Sequence, residues 1–187
     1  MTETRTVVSQ PYPWPWHGDF DPRRTALLVV CDGDIAPPDA LAKARLGSIV
    51  RLARRAQLMI VELPGRGQRS AGLDFKPDLV VTRPHHGAFT GADLDAVLRR
   101  RRITDLIFAG FPFEIGADTT MRQANDLGYE CLALADCCTG LAPETLAGAF
   151  ASIQMSGGIF GAVANSMDLV RLLATLPDLA AASAGGV

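Results

Sequence analysis

The segment TALLVVC, residues 25–31, is an unbroken run of mostly aliphatic residues, and it ends at the polar sequence DGD of residues 32–34. Five more short apolar runs follow, and between them apolar residues recur at the three- and four-residue spacing of helices. The later runs lie at 58–63, 78–82, 104–110, 130–135 and 159–163. Strands that are apolar throughout are typical of parallel sheets covered by helices on both faces. The sequence therefore predicts a three-layer α/β fold, αβα, with a six-stranded, mostly parallel sheet.

The length and composition of the chain are those of an ordinary globular protein. Its 187 residues suit one domain with a substantial core, and 48% of them are apolar while 20% are charged. No internal repeat or linker divides the sequence. We expect an amino-terminal arm over residues 1–24, one α/β domain over 25–178 and a loose tail over 179–187.

Charge, hydropathy and cysteine spacing exclude several classes of protein. The formal net charge of -2 gives no general attraction to nucleic acid. No apolar run reaches the ~20 residues of a membrane span, and the first ten residues lack an apolar signal core. We therefore expect a cytoplasmic location with no nucleic-acid or membrane partner. The four cysteines form no CxxC pair, and no glycine-rich phosphate loop follows the first run, so we expect no cofactor.

The predicted arm contains the sequence PYPWPW at residues 11–16, which includes both tryptophans of the chain. Alternating prolines favour a stiff, extended segment. Tryptophan side chains carry a large apolar area, so we expect both of them to be buried, either against the domain or against a neighbouring subunit. Stacking of these rings on a ligand is the alternative.

Ligands of parallel α/β sheets bind beyond the carboxyl ends of the strands, so the residues that follow each run are candidate site residues. Those with reactive or charged side chains include Cys31, Asp32, Arg83, His85, His86 and Glu114. A pair of adjacent histidines favours acid–base chemistry, and the backbone N–H groups of a helix starting near Gly116 favour an anion. A metal ion would need Asp32 and Asp34 as further ligands, and their spacing matches no compact zinc signature, so we expect no metal.

Four stretches carry a resemblance to a known family. They are the arm running into the first strand, RPHHGAF at 83–89, GFPFEIGADTTMRQAN at 110–125 and SGGIFGAVANS at 156–166. Together they resemble the isochorismatase-like cysteine hydrolases, and most of all the branch that contains biuret hydrolase and ureidoacrylate amidohydrolase. The resemblance implies an Asp-Lys-Cys triad in which a thiolate at a helix start attacks an amide or carbonyl carbon. It also implies a cis peptide bond before the nucleophile turn, where this chain has Phe111-Pro112.

All three triad positions of the family are changed in this chain. The resemblance assigns them to Cys31, Arg83 and Gly116, and the 33-residue separation of the last two matches the family's spacing. Glycine has no side chain that could attack, and arginine stays protonated where lysine can exchange a proton. Since side chains alternate along a strand, we expect Asp32 to point away from the site unless a bulge turns it back.

The first functional hypothesis is a catalytically silent homologue with a degenerate triad. It would bind a small anionic or amide-bearing molecule or act as a structural or regulatory subunit. We expect a homo-oligomer, with a different protein chain as a further candidate partner. The expected ligand-binding residues are Arg83, His86, Phe111, Gly116 and Ala117.

The alternative is a rewired enzyme of the same family, a hydrolase or lyase acting on a small acidic or amide substrate. Its catalytic groups would come from Asp32, His85, His86 and Arg83, with Glu114 and Cys31 as further candidates. An ordinary amidohydrolase with its catalytic groups placed elsewhere is the third possibility.

Overall fold

The computed structural model of this chain describes residues 5–32, 35, 39–67 and 75–176. The predicted tail over 179–187 lies outside the described residues, and so does Asp34.

In the residues that the structure describes, one six-stranded sheet forms the centre, and every pair of neighbouring strands is parallel. The strands are β1 Thr25–Cys31, β2 Met59–Pro64, β3 Leu79–Val80, β4 Asp105–Phe111, β5 Glu130–Leu134 and β6 Ala162–Ala164. Their order is β3-β2-β1-β4-β5-β6. The predicted six-stranded parallel sheet is confirmed. Because the order reverses between β1 and β4, the crevice beyond the ends of these two strands is where this architecture places a site.

Helices cover both faces of the sheet and complete the three predicted layers. The helices are α1 Ala40–Arg55, α2 Leu94–Arg100, α3 Asp118–Asp126, α4 Pro143–Met155 and α5 Ser166–Ala174. Apolar residues of α1 and α5 share one buried cluster, and those of α2, α3 and α4 share the other. Among the described helices, none is long and apolar enough to cross a membrane.

The alternation of side chains along β1 determines which residues of this strand pack against each layer of helices. Leu27, Val29 and Cys31 pack on the side of α1 and α5, whereas Leu28 and Val30 pack on the side of α2, α3 and α4. All seven residues of β1 are buried, as expected for a central strand with helices on both faces.

The third apolar run gives a shorter strand than the sequence predicts. Residues 78–82 are expected as a strand, but only Leu79–Val80 forms β3. This strand lies at the edge of the sheet and pairs with β2 alone. The carboxylate of Asp78 instead accepts a hydrogen bond from the backbone N–H of Ile60 at 2.8 Å, which fastens the start of β3 to β2.

The amino-terminal arm folds back on itself and onto the far edge of the sheet. Val7 bridges Trp14 within the arm, and Gln10 forms an antiparallel bridge with Val163 of β6. Trp14 is completely buried, but Trp16 is 71% exposed. Burial against the domain is therefore found for Trp14 but not for Trp16, whose ring contacts that of Tyr12 edge-on, and burial of Trp16 against a neighbouring subunit stays a prediction.

Replacing Trp14 with alanine should lower the free energy of unfolding by about 3–5 kcal/mol, because a large, fully buried side chain leaves a cavity. Trp16→Ala is the matched control, and since its ring is mostly exposed it should cost within about 1 kcal/mol. Urea denaturation of the two variants checks this. Equal losses would mean that the arm does not contribute to the core in solution.

Candidate functional site

Arg83 lies beyond the ends of β1 and β2, and only 1% of its surface is exposed. A guanidinium group has five N–H donors, and each of these has an acceptor here. The acceptors are the carbonyl oxygens of Leu63, His85, His86 and Cys31 and the carboxylate of Asp32. The strongest contact is the ion pair from Nη2 to Asp32 Oδ1 at 2.7 Å. Arg83 is thus a fully satisfied, buried cation.

Asp32 faces Arg83, so the prediction that it points away from the site is wrong. Its backbone N–H continues the ladder of β1 by donating to the carbonyl of Phe111 at 2.8 Å. Residue 32 therefore has the same side-chain direction as Val30, on the side of α3. Cys31 is fully buried on the opposite side, among the residues that contact α1 and α5. The side-chain direction of Asp32 could have been predicted from strand alternation alone, by counting two residues on from Val30 without using the family pattern.

Gly116 lies directly against the ion pair. A Cβ atom at this position would be 2.5 Å from Asp32 Oδ2 and 2.9 Å from both Arg83 Nη1 and Val30 Cγ1. The structure thus brings Asp32, Arg83 and Gly116 together, at the point where the resemblance places the family's nucleophile. The volume that a side chain at residue 116 would need is already occupied by the two charged groups.

The chain reaches Gly116 through a tight turn that packs closely on the sheet. The Phe111–Pro112 peptide bond is cis, and residues Phe113–Ala117 form a π-helical turn that leads into α3. A Cβ atom on Gly110 would lie 2.3 Å from the Cβ of Ala117, so only glycine permits this contact. The Thr120 hydroxyl also donates to the carbonyl of Gly116 at 2.6 Å, which ties the turn to α3.

Two other expected ligand-binding residues lie in apolar surroundings. Phe111 is completely buried on the side of the sheet that contacts α1 and α5, away from Gly116. Ala117 is also fully buried, and it packs on Gly110.

The histidine pair contributes backbone atoms to the site. The side chains of His85 and His86 are exposed, and it is their carbonyl oxygens that turn inward and accept hydrogen bonds from Arg83. A sequence shows which residues follow a strand, but the direction of each side chain in a loop depends on the backbone path.

The loop of residues 83–89 is held on α3 by contacts that the sequence analysis did not anticipate. The backbone N–H of Ala88 donates to Thr120 Oγ1 at 3.2 Å, and that of Phe89 donates to Gln123 Oε1 at 3.1 Å. Thr120 and Gln123 are three residues apart and face the same side of the helix. The only sign of these loop contacts in the sequence was that two polar side chains, Thr120 and Gln123, stand next to apolar positions of α3.

Glu114 serves the neighbouring helix. Its Oε1 atom accepts hydrogen bonds from the backbone N–H of Leu141 and from Thr145 Oγ1, both at 2.7 Å. No hydrogen-bond partner is found for its buried Oε2 atom among the described residues. This carboxylate therefore fastens the beginning of α4 to the turn of Phe113–Ala117.

Three of the four thiols of this chain are held in the protonated form by burial. Burial, followed by the nearby Asp136, raises the pKa of Cys137 to about 12. Burial also raises the pKa values of Cys131 and Cys138 well above the usual range. All four cysteines are buried. In the described part of the chain, no three histidine, cysteine, aspartate or glutamate side chains come together as a metal site.

Comparison with known proteins places the chain among relatives of one kind. Residues 68–166, just over half of the chain, match the family model described as the isochorismatase domain. An uncharacterized isochorismatase family protein of Bacillus subtilis, YwoC, is 39% identical over 67 residues, which are 36% of this chain and 35% of that protein. The ureidoacrylate amidohydrolase RutB of Azorhizobium caulinodans is 30% identical over 100 residues, 54% of this chain and 43% of that protein. The chain thus spans less than half the length of these curated relatives.

A solved structure shows the same fold. The cysteine hydrolase of Pseudomonas syringae pv. phaseolicola superimposes with a TM-score of 0.73 and 21% sequence identity. The match covers 92% of this chain and 98% of that one.

Replacing Gly116 with alanine should destabilise the protein by about 1–3 kcal/mol, because the added methyl group overlaps the buried ion pair and Val30. Gly47→Ala is the control, since its Cβ would have no neighbour nearer than Arg51 at 3.6 Å and alanine favours a helix. Thermal denaturation of both variants measures the difference. Equal stability of Gly116→Ala and the wild type would show that the pair does not occupy this space.

Replacing Asp32 with alanine should lower the free energy of unfolding by about 3–5 kcal/mol, because Arg83 is left as a buried charge without its counterion. The double variant Asp32→Leu with Arg83→Met should lose less than the sum of its single changes. Arg171→Ala, which breaks an exposed ion pair with Asp168, should cost within about 1 kcal/mol. Additive losses at 32 and 83 in urea denaturation would contradict a coupled pair.

Proposed function

The chain belongs to the isochorismatase family, and we propose that it is a member without the family's thiol-dependent hydrolysis, acting as a non-catalytic, subunit-type protein. One observation carries this proposal. The place of a side chain at residue 116 is filled by the Arg83–Asp32 ion pair, which lies 2.5–2.9 Å from where a Cβ atom would be. A nucleophilic side chain at that position would have to displace two buried, mutually bonded charges.

The chemistry implied by the resemblance needs three groups, and this chain supplies one of them. A thiolate must attack the amide carbon, and Gly116 has no side chain to do so. A lysine must exchange a proton with its surroundings, and the guanidinium group of an arginine cannot do this as an ammonium group can. Asp32 supplies the carboxylate, but one of its oxygens is bonded to Arg83 at 2.7 Å.

Binding of a small anion at Arg83 has less support than the subunit role. All five N–H donors of Arg83 are directed at acceptors of the chain itself. An anion would have to replace Asp32 or the surrounding carbonyl groups and would then lose as many hydrogen bonds as it gained. The ion pair acts as a structural tie between the ends of the central strands.

A second candidate function rests on the other oxygen of Asp32. Oδ2 is buried, no hydrogen bond to it is found among the described residues, and it is directed at Gly116. A buried carboxylate oxygen without a partner can accept a proton from a substrate. This geometry favours the alternative of a rewired enzyme with Asp32 as its base. The exposed side chains of His85 and His86 would not be part of that centre.

The purified chain should not hydrolyse ureidoacrylate or biuret above the background rate, because no thiol stands at the helix start. In parallel, iodoacetamide at neutral pH should label Cys131, Cys137 and Cys138 slowly, since burial raises their pKa values and keeps them as thiols. Labelling should become fast only in denaturant. Ammonia release and mass spectrometry of the alkylated peptides provide the two measurements.

The controls separate the two candidates. Hydrolysis that survives alkylation but disappears in Asp32→Asn would support the rewired enzyme and reject the non-catalytic proposal. Hydrolysis that alkylation abolishes would reject both. Asp168→Asn, which changes a carboxylate at the start of α5, distinguishes a specific effect at Asp32 from a general loss of charge.

A further inference from the structure

A second cavity lies at the opposite end of the molecule from Gly116, where the strands begin. Its volume is about 320 Å³, and it is lined by the amino-terminal arm, the end of α1 and the segment that follows α5. β1 alone is seven residues long, so about 20 Å of sheet separate this cavity from the Arg83–Asp32 ion pair. Cavities of this size commonly hold small ligands.

Backbone contacts within the arm give this cavity its shape. The apolar residues that line it are almost completely buried, and they are Phe20, Ala56 and Leu176. The backbone N–H of Phe20 donates to the carbonyl of Arg5 at 2.9 Å. The guanidinium group of Arg24 donates to the carbonyl of Asp19 at 3.1 Å. The residues at both ends of the arm are thus held beside the cavity before any ligand binds.

Five charged side chains line the cavity, and two of them neutralise each other. They are Arg5, Arg23, Arg55, Asp19 and Asp21. Arg23 binds Asp21 through two side-chain hydrogen bonds, at 2.9 and 3.1 Å. Among the residues that the structure describes, the side chains of Arg5, Arg55 and Asp19 make no ion pair or hydrogen bond. Two cations and one anion of the cavity therefore remain for a ligand.

The end of α1 places a strained residue at the same cavity. Gln57 lines it with a φ of 62°, in the left-handed region where glycine commonly follows a helix. Its backbone N–H donates to the carbonyl of Arg54, and that of Leu58 donates to Ala53, so the helix is closed by the backbone alone. A side chain in such a conformation is typical of functional sites. The amide of Gln57 can donate and accept hydrogen bonds.

The unpaired charges define which ligand would fit. An arginine can bind a carboxylate through two parallel hydrogen bonds, and an aspartate accepts hydrogen bonds from an ammonium group. A ligand that complements Arg5, Arg55 and Asp19 therefore has two carboxylates and one ammonium group. An aliphatic body between these groups would cover the apolar part of the cavity. Acidic amino acids combine these features.

We propose that this cavity binds a free acidic amino acid, with its carboxylates on Arg5 and Arg55 and its ammonium group on Asp19. The amide of Gln57 completes the polar side of the site. This proposal goes beyond the non-catalytic function and does not depend on it, because the residues that line the cavity are not those of the crevice at Gly116.

Calorimetric titration of the purified chain with L-glutamate at low salt tests the proposal, since exposed charges are least screened there. We expect a dissociation constant below about 1 mM. Glutarate, which lacks the ammonium group, and 4-aminobutyrate, which lacks one carboxylate, should each bind about tenfold more weakly. A chain that binds neither L-glutamate nor L-aspartate at about 10 mM would overturn the proposal. Equal affinity for L-glutamate and glutarate would overturn it too.

Charge-neutral variants assign the groups of the ligand. Arg5→Gln and Arg55→Gln should each weaken the binding of L-glutamate about tenfold. Asp19→Asn should reduce the affinity for L-glutamate to that for glutarate, which itself should bind no more weakly than before. Arg51→Gln and Asp126→Asn are the matched controls, because these exposed residues lie outside the cavity, and they should leave binding unchanged. Equal losses in the controls would contradict a specific site.

Gln57→Gly separates a ligand contact from a structural role. It should raise the melting temperature by about 2 °C, because glycine adopts a positive φ freely, and it should weaken L-glutamate binding about threefold. Arg102→Gly is the matched control, since Arg102 has a φ of 58° but does not line the cavity. It should give a similar rise in melting temperature and unchanged binding. Unchanged binding in Gln57→Gly would contradict the contact assigned to its amide.

Discussion

Arg83 joins the carboxyl ends of the central strands to the loop after β3 and to the turn before α3. Its guanidinium group donates to β2 through Leu63, to the end of β1 through Cys31 and Asp32, and to its own loop. A buried cation is tolerated only when its charge is balanced and its donors are satisfied. The path of residues 83–89 supplies these acceptors by turning two carbonyl groups inward. The conformation of the whole crevice therefore depends on this one side chain.

The same contacts that satisfy Arg83 are what support the proposal of a non-catalytic protein. A reactive centre needs groups whose hydrogen-bonding capacity is left for the substrate, together with room for a nucleophile. Here the cation has no donor to spare, and the ion pair occupies the volume above Gly116. Glycine is the residue that fits beside such a pair, since any Cβ would overlap a charged atom. The stability of the crevice and the absence of a side chain at residue 116 are two aspects of one packing arrangement.

The turn of Phe113–Ala117 connects this filled crevice to the surface of the molecule. Glu114 of this turn accepts hydrogen bonds from Leu141 and Thr145 at the beginning of α4. The position of α4 is thus fixed by a residue of the same turn that contains Gly116.

The sequence by itself determined the layers of this fold, because strands buried on both faces must be apolar throughout and helices between them must be amphipathic. Four of the six runs became strands close to their predicted bounds, whereas the run at 159–163 gave β6 only from Ala162 to Ala164. The run at 78–82 gave only Leu79–Val80, since an edge strand pairs on one side and Asp78 was drawn into a hydrogen bond with β2. The positions of Arg83 and Gly116 were also readable from motif spacing.

Only the tertiary structure decided what these residues do. It turned Asp32 toward Arg83, left the imidazoles of His85 and His86 outside while using their carbonyl groups, and exposed Trp16. It also assigned Glu114 to α4. The physical reason is that side-chain direction in loops and at strand ends depends on backbone path and on contacts between segments distant in sequence. The spacing of residues along the sequence contains no information about the backbone path or about these long-range contacts.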